Sequence, residues 1–442
     1  MSATIYDVAV IGGGASGFAA AITAARAGAL TCVIERDVQA GLGLLATGNG
    51  RCNVSNAHLE PARYLHPSEV LRVMGAHPER DVAAFFESVG VLFAEEDEGR
   101  LYPITRRAES IRDALLNACE REGVELLCCA DLASHTRPDT SGTHRLELEL
   151  PARLLAHKRG RDAKAEVRNA RKALAMAERT RHAIDARAVI VACGGSSEAV
   201  CRMLDVPHLA ERPVLCPIAC ALDLPRSAIS AHEQALAHLD GLRVEAALDL
   251  MRGGTHLARE RGEVLFRPYG ISGIAAFNLS RRIQPGDEIA LDLVPGIDED
   301  GLSELLRQRE HELGPFTGEA RWLDGLLVRP LAELITCALR GANDPLSRAA
   351  QLLHRLPLQV KGTTEHAQAH VRRGGIPLDA LDLDTLAVRR AAAKPSPTPM
   401  RLFACGESLD VDADCGGYNL AWAWISGMRA GASAARATAA PR

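Results

Sequence analysis

The sequence predicts an α/β fold: a parallel, nucleotide-binding sheet assembled from both ends of the chain and interrupted by a large insertion. Three observations carry this. Residues 5–35 read in succession as strand, glycine turn, helix, strand and acid. Residues 188–197, "AVIVACGGSS", and 401–411, "RLFACGESLDV", are two further apolar strands that end in glycine. Between these two strands, several short alternating stretches read as a barrel-like region rather than as more of the same sheet.

The N-terminal unit comes first. "IYDVAVI" at 5–11 has the composition of a buried strand, and "GGGASG" follows with Gly12, Gly14 and Gly17 in G-x-G-x-x-G spacing. Gly12 permits the tight turn, Gly14 allows a pyrophosphate to approach the backbone, and Gly17 lets helix and strand pack closely. Ala15 and Ser16 open the helix "FAAAITAARAG", whose free N–H groups and partial positive charge suit phosphate. A second strand, "LTCVIERD", ends at Glu35 and Arg36. Glu35 can accept both hydroxyls of an adenosine ribose, and its charge disfavours a 2′-phosphate. The spacing alone is weak; the complete unit in this order is a specific signal.

The two later strands decide which dinucleotide is bound. The strand at 188–197 delivers Cys193, Gly194 and Gly195 to its end, and the strand at 401–411 delivers Gly406 and Glu407. "DCGGYNLAWAWISGMRAG" then starts a C-terminal helix at Gly416 and Gly417, with Tyr418 and Asn419 in its first turn. FAD enzymes of the two-dinucleotide-domain type are built this way. The late acid serves the ribityl chain, and the last helix turns its N-terminus toward the flavin pyrimidine. No second G-x-G-x-x-G is present for a dedicated nicotinamide domain.

"ATGNGRCNVSN" at 46–56 has too many asparagines and glycines for a core and too few charges for an ordinary surface loop. A chain returning from Glu35 past a pyrophosphate toward a flavin needs such a loop. Gly48 and Gly50 permit close approach, while Thr47, Asn49, Arg51, Asn53 and Asn56 supply hydrogen bonds. Cys52 lacks a second cysteine nearby, the next being Cys119, so a small buried residue is expected rather than a redox disulfide.

Four segments together resemble the BaiN/RdsA-like, or YhiN-like, NAD(P)/FAD-dependent oxidoreductase family: "ATGNGRCNVSN", "GEVLFRPYGISGIAAFNLS", "VKGTTEHAQAHVRRGG" and "FACGESLDVDADCGGYNLAWAWISG". The resemblance implies a Rossmann-like FAD-binding domain interrupted by a β-barrel-like region and a small helical region. It also implies bound FAD and, for the best-understood members, reduction of a conjugated carbon–carbon double bond. The chain departs from the family pattern in three places. Leu42-Gly43 stands where Arg-Lys is usual, Arg267-Pro268 where Thr-His is usual, and Ile274 where a proline is usual. These departures bear on the substrate more than on FAD.

The expected division is a FAD domain at 1–212 and 385–442, a barrel-like substrate domain at 213–297 and 357–384, and a helical insert at 298–356. "KPSPTP" at 394–399 is a proline-rich connection into the last FAD strand. Within the FAD domain, 153–187 is an alanine-rich stretch with eleven Lys/Arg and four Asp/Glu, expected to be helical by propensity. The net charge of the whole chain, -5, gives no global reason to expect nucleic acid. No apolar run is long enough to span a bilayer, and the scattered cysteines suit a reducing compartment; a cytoplasmic enzyme is expected. His366 and His370 sit four apart, but no metal site is expected.

The expected function is a FAD-dependent oxidoreductase acting on a small molecule. NADH or NADPH reduces the flavin, whose N5 donates hydride to an enone-like substrate, a steroid or another apolar molecule. Tyr269, Ser272 and Arg267 in "RPYGISG" are the candidates for protonating the substrate and holding its enolate. Two other readings stand beside it: an oxidase of amines or alcohols using O2, and a flavin-containing protein that modifies or binds nucleic acid through the basic stretch.

Overall fold

The computed structural model describes residues 5–136, 142–224, 236–316, 318–364, 371–389 and 401–439. It divides into two units, Met1–Arg212 with Arg373–Arg442, and Pro213–Arg372. The return to the first unit thus comes at Arg373 rather than at 385. The "KPSPTP" connection, His366 and His370 lie outside the described residues.

The first unit is built on β1 (Ile5–Ile11), α1 (Ala15–Arg26) and β2 (Thr31–Glu35). A separate antiparallel sheet follows, of β3 (Ser55–Asn56), β4 (Phe93–Glu96) and β5 (Arg100–Pro103), with helices α2 (Pro67–Met74) and α3 (Pro78–Ser88) between its first two strands. Next come α4 (Ala108–Arg121), β6 (Glu125–Cys128), β7 (Asp131–Thr136), β8 (His144–Pro151), α5 (Ala163–Met176), β9 (Arg179–Val191), α6 (Glu198–Leu204) and β10 (Leu209–Val214).

β1 lies between β2 and β9, parallel to both, and β6 pairs with β2 in parallel. Val8, Ala9 and Val10 have no exposed surface, which fits an apolar strand covered on both faces. From the far end of the chain, β20 (Leu402–Ala404) joins the sheet parallel to β9. The C-terminal helix, Tyr418–Thr438, then lies on α1. Gly427 and Gly431 make that contact possible. An ideal Cβ at Gly427 would stand 2.4 Å from the Ser16 carbonyl oxygen, and one at Gly431 would stand 2.2 Å from that of Ala20. Any side chain there would push the two helices apart.

The basic stretch is only partly helical. α5 covers 163–176, capped by Asp162, whose carboxylate accepts from the Ala165 N–H at 2.8 Å. From Arg179 onward the chain is already β9, paired antiparallel with β8 over Pro151↔Arg179 to His144↔Ala186. The expectation of helix to residue 187 fails because residues 179–186 gain a full strand partner. Their many charged side chains stay exposed on a sheet extension that runs past the start of β1. Ladder pairing outweighs local propensity there.

The second unit holds a closed six-stranded barrel in the order β11-β14-β13-β12-β15-β16: β11 (Ile218–Leu222), β12 (Arg243–Arg252), β13 (Thr255–Arg267), β14 (Gly270–Ser272), β15 (Glu288–Asp292) and β16 (Leu356–Thr363). The helices Glu299–Leu313, Arg329–Ala338 and Pro345–His354 share its core, so Leu302, Leu331, Ile335 and Leu353 belong to the cluster that holds Leu248, Phe266 and Leu358. The remaining strands, β17 (Val371–Gly375), β18 (Leu381–Asp382) and β19 (Ala387–Val388), lead back, β17 pairing with β10 and β19 with β20.

Candidate cofactor site

The three glycines of the first turn do different work. Gly12 has φ +111, and an ideal Cβ on it would lie 2.3 Å from the Ala192 carbonyl oxygen. A Cβ on Gly17 would lie 1.9 Å from the Gly12 carbonyl oxygen. Both are demanded by the protein's own packing. Gly14 is different: a Cβ there would meet nothing within 4 Å. The space beside it is open, as a pyrophosphate would need. Gly14 is also the N-cap of α1, with no side-chain cap and no acid in the first helical turn, so the N–H groups at Ala15 and Ser16 start an uncapped helix. This arrangement fits a dinucleotide.

Glu35 stands at the tip of β2. Its carboxylate accepts from the Gly13 N–H at 2.7 Å and from the Asp37 N–H at 2.8 Å, and it is only half-buried. A carboxylate held this way keeps lone pairs for ribose hydroxyls. Arg36 beside it is exposed.

At the carboxyl ends of β9 and β20 the expected turns meet the first one. Cys193 Sγ donates to the Ile11 carbonyl at 3.3 Å, and burial pushes its thiol pKa far up. A Cβ on Gly194 would lie 3.8 Å from Glu407 Oε2, and Gly195 follows half-buried. Gly406, at φ +69, approaches Ser16 so closely that a Cβ would lie 2.3 Å from its hydroxyl. These are the carboxyl ends of β1, β9 and β20, where open parallel sheets take their ligands.

The asparagine-rich loop is tightly coiled. Gly48, Asn49, Gly50 and Cys52 all have left-handed φ, between 55° and 82°. Thr47 Oγ1 donates to Leu44 O at 2.7 Å, and the Cys52 N–H donates to Thr47 O at 3.0 Å. Cys52 is fully buried, and burial raises its thiol to about 11 against the opposing pull of Thr47. All described cysteines are free thiols. Asn49 is exposed.

Arg51, Asn53 and Asn56 are engaged by the protein. Arg51 pairs with Glu96 and lies over the Tyr102 ring at 4.2 Å, while Arg106 meets the same carboxylate at 2.7 Å. Asn53, with its amide oriented to satisfy its neighbours, donates to Ser55 O at 3.0 Å and accepts from the Gly417 N–H at 3.1 Å. Asn56 Nδ2 donates to Glu98 O at 2.9 Å and to Gly416 O at 3.0 Å. A Cβ on Gly417 would stand 2.2 Å from Ser55 O. The asparagines therefore fasten the loop to the turn that opens the C-terminal helix, another N-terminus with neither side-chain cap nor first-turn acid.

Tyr418 and Asn419 are occupied in the same way. The Tyr418 hydroxyl donates to His58 O at 3.1 Å, and its ring meets Tyr64 edge-on at 5.8 Å. Asn419 clips the preceding turn, accepting from the Ala413 N–H and donating to Ala413 O, both at 2.9 Å. The sequence reading missed the acids of "DVDAD" just before it. Asp412 is fully buried and takes both arms of Arg373 at 2.6 and 2.9 Å. Asp410 accepts from the Gly374 N–H at 2.9 Å and meets His66 at 3.3 Å. The alternating aspartates in an otherwise buried stretch were the available signal.

The remaining candidates lie in the second unit. Arg267 ends β13 and meets Asp240 at 3.3 Å. The Tyr269 carbonyl accepts from the Cys220 N–H at 3.0 Å, and Ser272, nearly buried in β14, pairs with Leu265 across the ladder. Among the described residues no cluster of three metal-ligating side chains occurs, and no helix is long and apolar enough to cross a membrane.

Comparison with known proteins supplies the remainder. The chain is 28% identical to the 3-dehydro-bile acid delta(4,6)-reductase of Clostridium scindens, over 97% of this chain and 98% of that one. It is 24% identical to the ribosomal RNA dihydrouridine synthase of Escherichia coli, over 95% and 96%. Among solved structures it resembles the 3-ketosteroid delta1-dehydrogenase of Sterolibacterium denitrificans, with 11% identity, a TM-score of 0.47 and coverage of 98% and 99%. The HI0933-like protein Rossmann domain matches residues 6–433. The first unit is a Rossmann-like FAD-binding domain, and the chain, a FAD-dependent oxidoreductase, belongs to the HI0933-like family.

Proposed function

We propose that this protein reduces a carbon–carbon double bond conjugated to a carbonyl in an apolar, steroid-like substrate, using NADH or NADPH as the electron source. The observation that carries the reading is the end-to-end similarity to a bile acid reductase, whose named activity is on such bonds. Bound FAD would supply the hydride-transfer chemistry. The Gly12–Gly17 turn and the N-terminus of α1 would hold its pyrophosphate, and Glu35 its adenosine ribose. Glu407 would hold the ribityl hydroxyls, and the Gly416–Gly417 turn would bring the C-terminal helix dipole to bear on negative charge. Tyr269 or Ser272 would pass a proton to the substrate carbon, with Arg267 favouring the enolate.

The similarity to rRNA dihydrouridine synthases supports a second reading. The uracil 5,6 double bond is also conjugated to a carbonyl, so the same residue set would serve it. The test is anaerobic. Purified yellow protein is mixed with NADH or NADPH, then with a 3-keto-4-ene steroid or a uridine-containing RNA. Bleaching by the nicotinamide and recovery of colour with the steroid is the expected result. Recovery with RNA alone would favour the second reading. Release of FMN rather than FAD on denaturation, or no bleaching by either nicotinamide, would overturn the proposal as stated.

A further inference from the structure

The basic insertion is fastened to the loop that positions Glu35. Arg171, on α5, grips the Asp37 carboxylate with two nitrogens of its guanidinium, Nη2 donating to Oδ2 and Nε standing 2.9 and 3.2 Å from the two oxygens. The Asp37 N–H in turn donates to Glu35 Oε1 at 2.8 Å. A second strap comes from the other end of the insertion. Arg179 Nη1 donates to the Cys129 carbonyl at 3.2 Å and to that of Glu149 at 3.1 Å. The Cys129 N–H donates to Asp37 O at 2.8 Å, and the Ala130 N–H to Glu35 O at 2.9 Å. Residues 35–37 are thus held from three sides: the glycine turn, the 128–130 turn, and the insertion.

We propose that the insertion at 153–187 is a clasp for the adenosine half of FAD, with Arg171 as its positioning residue, acting through Asp37 on Glu35. The inference rests on the FAD reading above. Three points support it. The contact is two-pronged, the geometry that makes guanidinium–carboxylate pairs specific. Asp37 binds the Glu35 carboxylate through its own N–H, so a shift of Asp37 turns the carboxylate that would hold the ribose. Arg171 also offsets the negative charge that Asp37 would otherwise add beside Glu35.

The contact is partly exposed, with 55% of the Arg171 side chain and 24% of the Asp37 side chain accessible, so its effect is modest and salt-sensitive. The experiment follows FAD release from full-length holoenzyme, by recovery of flavin fluorescence after dilution, for the parent, Arg171→Ala, Asp37→Asn and Arg171→Lys. Release should quicken about two- to fivefold in the first two and less in Arg171→Lys. High salt should bring the parent toward Arg171→Ala while leaving that variant nearly unchanged. Flavin midpoint potential and the affinity of apoprotein for FMN, which lacks the adenosine half, should stay at parental values. Equal release rates in parent and Arg171→Ala would overturn the inference while leaving FAD binding intact. Equal loss of FMN and FAD affinity would also overturn it, because the insertion would then be only a scaffold. A parent that never binds FAD would fail the underlying reading as well.

Discussion

Gly14→Ala and Gly17→Ala should separate a glycine that serves the ligand from one that serves the fold. At Gly17 the new methyl would lie 1.9 Å from the Gly12 carbonyl oxygen, far inside contact distance, and backbone rather than a flexible side chain would have to move. Overpacking of that kind costs about 1–3 kcal/mol or more. In a unit of this size each kcal/mol lowers Tm by about 2 °C, so apoprotein melting should fall by several degrees. At Gly14 the methyl meets nothing within 4 Å, and the backbone, at φ -87 and ψ -164, is open to alanine. Apoprotein should melt within about 2 °C of parent, the residual loss reflecting the poorer N-cap. The same methyl would stand where the pyrophosphate approaches, so FAD affinity should drop about ten- to a hundredfold, or about 1.4–2.8 kcal/mol. Apoprotein calorimetry and FAD titration on both variants decide the matter. If Gly14→Ala destabilises apoprotein as much as Gly17→Ala while binding FAD normally, the division of roles is wrong.

Two further outcomes follow from buried groups. Cys52, with its thiol raised to about 11 by burial, should resist iodoacetamide in native protein at pH 8, where about one part in a thousand is thiolate, and Cys52→Ser should keep most turnover; mass spectrometry and steady-state assay check both. His144 is fully buried 3.0 Å from His135, and burial, then the charges of His135 and Arg401, depress it to about 3. The unfolded chain takes up a proton near pH 6.5 that the fold refuses, so stability is complete above that pH and declines as pH falls below it. At pH 5.5 the loss is about 1.4 kcal/mol. Urea unfolding of parent against His144→Gln should show this pH dependence only in the parent; identical slopes would refute it.

The parts of the site legible in sequence are those whose cause is local. Gly12 and Gly17 could be read because the turn and the first helix lie within a dozen residues of one another. Glu35 could be read because the strand that carries it follows at once. The asparagine-rich loop drew attention for the right composition, but its partners could not be read. Asn56 reaches Gly416, 360 residues away, and Arg51 reaches Glu96 across the small sheet. The same limit hid the start of β9. Nothing near Arg179 marks it as a strand until β8 lies alongside, and the alanine-rich stretch that leads to it reads as helix by propensity. The tether between Arg171 and Asp37, 134 residues apart, was likewise invisible.

The contact between the first and last helices fixes an order of assembly. β9 and β20 complete the sheet around β1, and the backbones of α1 and the C-terminal helix touch at Ser16–Gly427 and Ala20–Gly431. A ribosome making about 5–20 residues per second needs roughly 20–70 seconds to pass from the second strand to the last one. Through that interval the small-residue face of α1 and one edge of the nucleotide-binding sheet have no partner, while the barrel unit, contiguous from Pro213 to Arg372, has already emerged. The elements at the proposed dinucleotide turn are thus the ones that wait longest for their partners. A cofactor held by both halves of this sheet would find its full set of contacts only after the C-terminal helix has been made.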